Sequence, residues 1–178
     1  NKGYLTYTFN CLKSLEKIGF QGLKTYAIGK EAYQAVTRKN YEAALIDDEE
    51  HAEFQTFRRG NWANVIYYKF QIIYDNLKRH KFVCITDGDI VFKDQRFMDY
   101  CMSNIGTDDL LIQNDSMEDD SDENLCSGFM FIKSNERTLT FFDPAHVKKH
   151  AEVKEGWGDQ IYVNDHKHKI AYRSLPLA

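Results

Sequence analysis

Two aspartates flank a single glycine at Asp87-Gly88-Asp89, directly after the apolar run Phe82-Val83-Cys84-Ile85-Thr86. Carboxylates this close repel each other unless a cation compensates them. Hard oxygen ligands of this kind suit Mg²⁺ or Mn²⁺, and those ions in turn bridge phosphate oxygens. Gly88 removes a side chain where a ribose or diphosphate would approach the backbone. Asp and Gly also make ordinary polar turns at strand ends, so the triplet alone has a purely structural reading as well. Its setting argues for chemistry. The run Val83 to Phe92 (VCITDGDIVF) places apolar residues on both sides of the carboxylates, and ligands of open α/β sheets gather outside the carboxyl ends of strands.

A second charged residue stands out. Lys69 lies within the stripe Trp62, Val65, Ile66, Phe70, Ile73 and Leu77, which recurs at the helical period. A charge there is expected to be paired or to reach past the edge of the core.

The elements that must position these groups alternate between strand-like and helix-like segments, as in an α/β layer architecture. Tyr4 to Phe9 is rich in β-branched and aromatic residues and reads as a first strand, leading into a helix from Leu12 to Ile18 that Gly19 stops. Leu23 to Ile28 reads as a strand, Glu31 to Thr37 as a short helix, and Ala43 to Ile46 as a third strand. Asn61 caps a long helix from Trp62 to Arg79. Phe82 to Thr86, apolar at consecutive positions, reads as a central strand covered on both faces. A helix at Arg96 to Met102, strands at Leu110 to Gln113 and Gly128 to Ile132, and a helix at Arg137 to Phe142 follow, then a mixed tail. The acidic stretch 115–124 lacks the glycine and ligand spacing of an EF-hand and reads as a solvated loop. No repeat or linker interrupts the chain, so one domain is expected.

Composition bounds the partners. The 178 residues carry a formal net charge of −4, and scattered basic residues give no footprint for a nucleic-acid polymer. An anionic ligand would therefore need local groups or a metal. No apolar run is long enough to span a bilayer. Cys11, Cys84, Cys101 and Cys126 form no CxxC pair or metal-ligand spacing, a pattern that favours a reducing, cytoplasmic setting, although an upstream Golgi anchor stays open. Cys84 reads as a small buried hydrophobe.

From Leu77 to Asp94 the chain resembles the nucleotide-diphospho-sugar transferases of the GT-A fold: helix with a lysine, apolar strand, Asp-x-Asp, apolar pair. The likeness continues at Asn124-Leu125-Cys126-Ser127-Gly128-Phe129 with Ile132-Lys133-Ser134-Asn135, and ends at Trp157-Gly158-Asp159-Gln160 with Asn164. Each piece is short; the ordered set, over roughly residues 4 to 165, is more specific. The resemblance implies a single GT-A catalytic domain with a Rossmann-like open mixed sheet flanked by helices. It implies transfer of a sugar from a nucleotide-diphosphate donor, a UDP-sugar, to a saccharide or glycoprotein acceptor, with Mn²⁺ or Mg²⁺ and retention of configuration.

Carried over residue by residue, the resemblance makes Asp89 the direct metal ligand and has Asp87 contact the ribose, or the metal through water. Lys69 would contact the donor nucleotide. Thr8, Phe9 and Asn10, ending the first strand, would hold base and ribose, with Asn10 as a helix N-cap the plain alternative. Gly88, Ser127 and Gly128 would let the donor approach the backbone. Asp159 and Gln160 would line the transfer site, and Trp157 would offer an aromatic platform to the acceptor. Three departures stand out. Tyr26-Ala27-Ile28-Gly29 lacks the aspartate relatives often carry after the second strand. Cys126 replaces a more usual Asn or Thr. The late metal-binding histidine is not evident: His166 and His168 read as solvent-facing, and the chain reads as a catalytic-domain fragment that stops mid-element at Ser174 to Ala178. Two other functions stay open. DGDIV also matches a phosphohydrolase of the haloacid-dehalogenase type, with Asp87 as nucleophile and Asp89 as acid/base; a non-catalytic nucleotide-sugar-binding module is the other.

Overall fold

The computed structural model describes residues 1–54, 62–116, 124–154 and 157–175. They group into two compact units, 1–62 with 88–97, and 63–87 with 98–178.

The first unit opens with a single 3₁₀ turn and then helix α1 (Leu5–Lys17), followed by β1 (Thr25–Ile28), α2 (Lys30–Thr37) and β2 (Ala43–Ile46). Tyr4 to Phe9 is thus not a strand. The helical spacing of Leu5, Phe9, Leu12 and Leu15 prevails over the β propensity of the threonines and aromatics. Thr8 adapts by donating its hydroxyl to Tyr4 O, one turn back, at 3.0 Å. Cys11, Leu12 and Leu15 form the buried face of α1, and Gly19 stops it at φ +75° with its N–H on Glu16 O. Strands β1 and β2 pair in parallel from Thr25↔Ala43 to Ile28↔Ile46, the crossover α2 returning the chain between them.

The second unit is built on helix α3 (Trp62–Leu77) and a four-stranded sheet. Its strands are β3 (Phe82–Thr86), β4 (Leu110–Asn114), β5 (Leu125–Lys133) and β6 (Tyr172–Leu175), in the order β3-β5-β4-β6. Strand β5 runs antiparallel to both neighbours, while β6 is parallel to β4. The fold is therefore mixed α/β, as the alternation of elements implies. Leu110, Leu111 and Ile112 of β4 and Met130, Phe131 and Ile132 of β5 are fully buried at consecutive positions, the mark of strands covered on both faces. Strand β3 is the correction: it ends the order of this sheet and is mostly half-buried. The interior places go to β4 and β5, whose apolar residues are the fully buried ones.

Helices α4 (Phe97–Asn104), α5 (Glu136–Phe141), α6 (Pro144–Val153) and α7 (Asp159–His166) complete the elements. The core joins Phe70, Ile73 and Leu77 of α3 to Leu110, Ile112, Met130, Ile132, Phe142 and Val163. Trp157 belongs to this core, 6% exposed and packed on Phe70, so it is no platform for an acceptor. His166 is half-buried and stacks on Tyr162 rather than facing solvent; His168 is exposed. Helix α6 and strand β6 lie in the stretch that read only as a mixed tail. Asp143 caps α6 by accepting from Ala145 N–H, and Pro144 starts it. The Asn61 cap and most of the acidic stretch (117–123) lie outside the described residues.

A buried carboxylate ties the far end of the sheet together. Asp109, 1% exposed, accepts from Asn135 Nδ2 at 2.7 Å, Arg137 Nε at 2.8 Å and the Ala171 N–H at 2.9 Å. It joins the start of β4 to the caps of α5 and to the approach of β6.

Candidate active site

Topology gathers the polar residues at one end of the four-stranded sheet. Strand β3 ends at Thr86, opposite Phe129 of β5, so Asp87 falls beside Gly128 and donates its N–H to Gly128 O at 2.8 Å. Strand β4 ends at the same edge, where Gln113 pairs with Cys126. Between Ile112 and Gln113 the register against β5 jumps from Met130 to Cys126, leaving Ser127 to Phe129 as a bulge on the β4 side. A bulge re-aims backbone groups beside functional sites, and here the Ser127 carbonyl turns to a side chain.

That side chain is Lys69. From the middle of α3 its Nζ donates to Asp87 Oδ1, Ser127 O and Asp159 Oδ2, each at 2.7 Å. Ser127 Oγ donates to the same Asp159 oxygen at 2.8 Å. The lysine and Asp159 side chains are each 10% exposed, whereas Asp87 is 46% exposed. Burial alone would pull the Lys69 ammonium down; the Asp87 and Asp159 carboxylates outweigh it and hold it above the usual lysine range. Burial alone would push the Asp159 carboxyl up. The Lys69 charge, with hydrogen bonds from Lys69, Ser127 and the Gln160 N–H, holds it below the usual range instead. The group is thus one ammonium between two carboxylates. Lys69 does not snorkel; it is paired inside.

Gly128 sits under this group. A Cβ there would lie 3.3 Å from Cys126 Sγ, 3.5 Å from Gln113 Oε1 and 3.7 Å from Asp87 Oδ2. Gln113, which motif reading passes over, thereby joins the site, and its Oε1 is buried without a hydrogen-bond partner among the described residues. A polar pair, Gln113-Asn114, closing an apolar strand at the sheet edge where ligands gather was the available signal. Gln160 faces elsewhere: its Nε2 donates to Asn124 Oδ1 at 3.0 Å and Asp115 Oδ2 at 3.3 Å.

In the first unit, Thr8 lies against Gly88, where a Cβ would come 2.8 Å from Thr8 Oγ1. Asp89 is exposed, near enough to Cys11 to add to the upward push that burial gives that thiol, to about 11. Phe9 carries Lys39 over its ring at 5.1 Å. Asn10 is exposed within α1, not a cap. Thr8, Phe9 and Asn10 therefore present themselves from a helix rather than from a strand end. Among the described residues no three His, Cys, Asp or Glu side chains cluster as a ready metal site.

Residues 25–177 match the nucleotide-diphospho-sugar transferase family, and the chain belongs to it. No curated protein sequence matches the chain. Among solved structures it is similar to the galactosyltransferase LgtC in complex with donor and acceptor sugar analogs, at 15% identity and a TM-score of 0.61. That match covers 97% of this chain and 69% of LgtC. It is also similar to the glycosyltransferase GlyE of Streptococcus pneumoniae TIGR4, at 18% identity and a TM-score of 0.59, covering 97% of this chain and 42% of GlyE. At these identities the likeness establishes the GT-A fold. No described helix is long and apolar enough to cross a membrane.

Proposed function

We propose that the chain transfers a sugar from a UDP-sugar to a saccharide or glycoprotein acceptor, with Mn²⁺ or Mg²⁺ and with retention of configuration. The observation that carries this reading is the meeting of Asp87, Ser127-Gly128 and Asp159 around Lys69 at the end of β3. These residues come from the separate blocks that make up the family pattern, within a chain that belongs to the family.

The donor set fits a hard divalent cation. Asp87 and Asp89 offer carboxylate oxygens, and such ions keep waters and phosphate oxygens as their remaining ligands. When bound, the cation would neutralise the diphosphate as it leaves. The chain's own residues do the rest. Asp87 presents a carboxylate that is nearly half exposed, and at Gly128 the strand passes close to Cys126 Sγ, Gln113 Oε1 and Asp87 Oδ2, where a larger residue would be crowded. Asp159, the carboxylate that an inverting reaction would need as base, is tied up by Lys69 and Ser127. That supports retention, in which the acceptor attacks on the leaving-group face and the departing diphosphate takes its proton.

A thermal-shift and titration panel of UDP and UDP-sugars with and without Mn²⁺ tests the proposal, because ligand binding raises stability by linkage. Mn²⁺-dependent binding with slow donor hydrolysis is expected, and Asp89→Ala is expected to abolish the binding with an unchanged fold. Binding that survives Asp89→Ala would remove the metal assignment. Binding without hydrolysis would leave a binding module, and hydrolysis of an aryl phosphate alone would turn the reading to phosphohydrolase.

A further inference from the structure

Helices α6 and α7 meet through two imidazoles. The His150 and His166 rings lie 4.8 Å apart, edge to face. Both pack on Tyr162, the His150 ring at 5.3 Å and the His166 ring stacked at 4.6 Å. Their partners fix which nitrogens carry protons, because a carboxylate and a carbonyl only accept. His150 Nε2–H therefore donates to Asp165 Oδ2 and His166 Nδ1–H to Tyr162 O, each at 3.0 Å. His150 Nδ1 is buried without a hydrogen-bond partner among the described residues. Protonated, it would be a buried N–H with no acceptor there.

The charges around the pair do little to offset a gain of protons. Asp165 faces both rings, and Lys154 of α6 already binds it at 2.9 Å. Lys169, in the 3₁₀ turn Lys167–Lys169 after α7, adds a like charge beside His166. Helix α5 presents the Phe141 carbonyl, which accepts the Tyr162 hydroxyl at 2.6 Å, and Asp143 acts on that hydroxyl from the cap of α6. Against the Asp165 carboxylate stand two lysines and two imidazoles, so each proton gained adds uncompensated charge. Burial chiefly, with Lys169 and His150, holds the His166 imidazole below the usual histidine range, although the Tyr162 carbonyl and Asp165 favour its charged form.

We propose that the His150–His166 contact is an acid-sensitive latch, which holds α6 against α7 while both imidazoles are neutral and loosens as they gain protons. Asp159, the carboxylate that Lys69 and Ser127 hold, is the first residue of α7. The latch thus bears on the candidate site whatever reaction that site performs. A histidine whose folded value lies below the unfolded value of about 6.5 contributes stability that is full above that value. It is lost as pH falls from there through the folded value.

Melting temperatures of the full chain between pH 7.5 and 5 test the latch in wild type, His150→Gln, His166→Asn and the double variant. Gln Nε2 and Asn Nδ2 stand where the two ring donors stood, so the bonds to Asp165 and Tyr162 O are kept and the titration is removed. Wild type is expected to lose about 2–4 °C over this range, the single variants less, and the double variant less than half of it. His146→Asn, one turn earlier in α6 with its Nδ1 on Thr140 O, is expected to keep the wild-type step. A flat wild-type profile, a step that survives in the double variant, or one that vanishes in His146→Asn would overturn the proposal. Where the double variant does not fold, amide hydrogen exchange of wild type replaces it. Protection of residues 159–166, corrected for the intrinsic effect of pH, is expected to fall about tenfold from pH 7.5 to 5.5, ahead of β4 and β5. Protection that falls equally in the sheet, or not at all in α7, ends the proposal.

Discussion

Gly88 leaves no space for a side chain, since a Cβ there would meet Thr8 Oγ1 at 2.8 Å. Gly88→Ala is expected to cost about 1–3 kcal/mol by overpacking, measured by chemical denaturation. Thr8→Ala in the same chain removes the obstructing hydroxyl and is expected to restore most of that loss. The thiols supply a second residue-level expectation. Burial pushes Cys84 up to about 12, with a smaller contribution from Cys101, and pushes Cys11 and Cys101 up to about 11. Thiolate is the reactive species, so at pH 8 a thiol reagent is expected to label these three only after unfolding; fast labelling of the native protein would contradict their environment. The small apolar character of Cys84 was legible in its strand. The burial of Cys101 and its closeness to Cys84 were not, because they depend on how α4 packs.

At the scale of elements, the turn from β1 into α2 depends on Gly29. It holds φ +84°, and a Cβ there would run into the Ala52 methyl. Gly29→Ala is expected to destabilise by more than about 1 kcal/mol, seen as a lower denaturation midpoint at unchanged slope. In the Tyr26-Ala27-Ile28-Gly29 departure, the glycine has this steric reason, independent of base recognition. Helix α1 shows where local reading misled. Threonine and aromatic content suggested a strand, yet the spacing of Leu5, Phe9, Leu12 and Leu15 was helical throughout. Periodicity reports which face is buried, and burial outweighs propensity.

At the scale of the whole chain, acid stability follows from two buried carboxylates. Burial would raise Asp109, but Arg137, the Ala171 N–H and Asn135 hold it below its usual value. Asp159 is likewise lowered, against its burial, by Lys69 and Ser127. Groups whose folded value is depressed contribute stability that is present above the unfolded value of about 3.9. It is lost as pH falls through the folded value. Melting temperature is thus expected to drop below about pH 4, and Asp109→Asn to flatten that drop. At neutral pH the same variant is expected to cost about 1–3 kcal/mol, since it weakens the pairing of Arg137 and the Ala171 N–H. A pH profile identical to wild type would show that the carboxylate does not govern acid unfolding.

The sequence by itself determined the mixed α/β class, most strand and helix positions from β1 to α5, and the identity of the family. These follow from local signals: hydrophobic period, turn residues and an ordered set of short motifs. It also marked Lys69 as a charge that had to be paired or to reach past the edge of the core. Only the tertiary structure decided that it is paired, and with what. The antiparallel register of β3 and β5 sets Asp87 beside Gly128, the bulge at Ser127 frees a carbonyl, and α7 brings Asp159 across from a distant part of the chain. Such partners are fixed by strand register and helix docking, which depend on contacts far apart in sequence and leave no local periodicity to read.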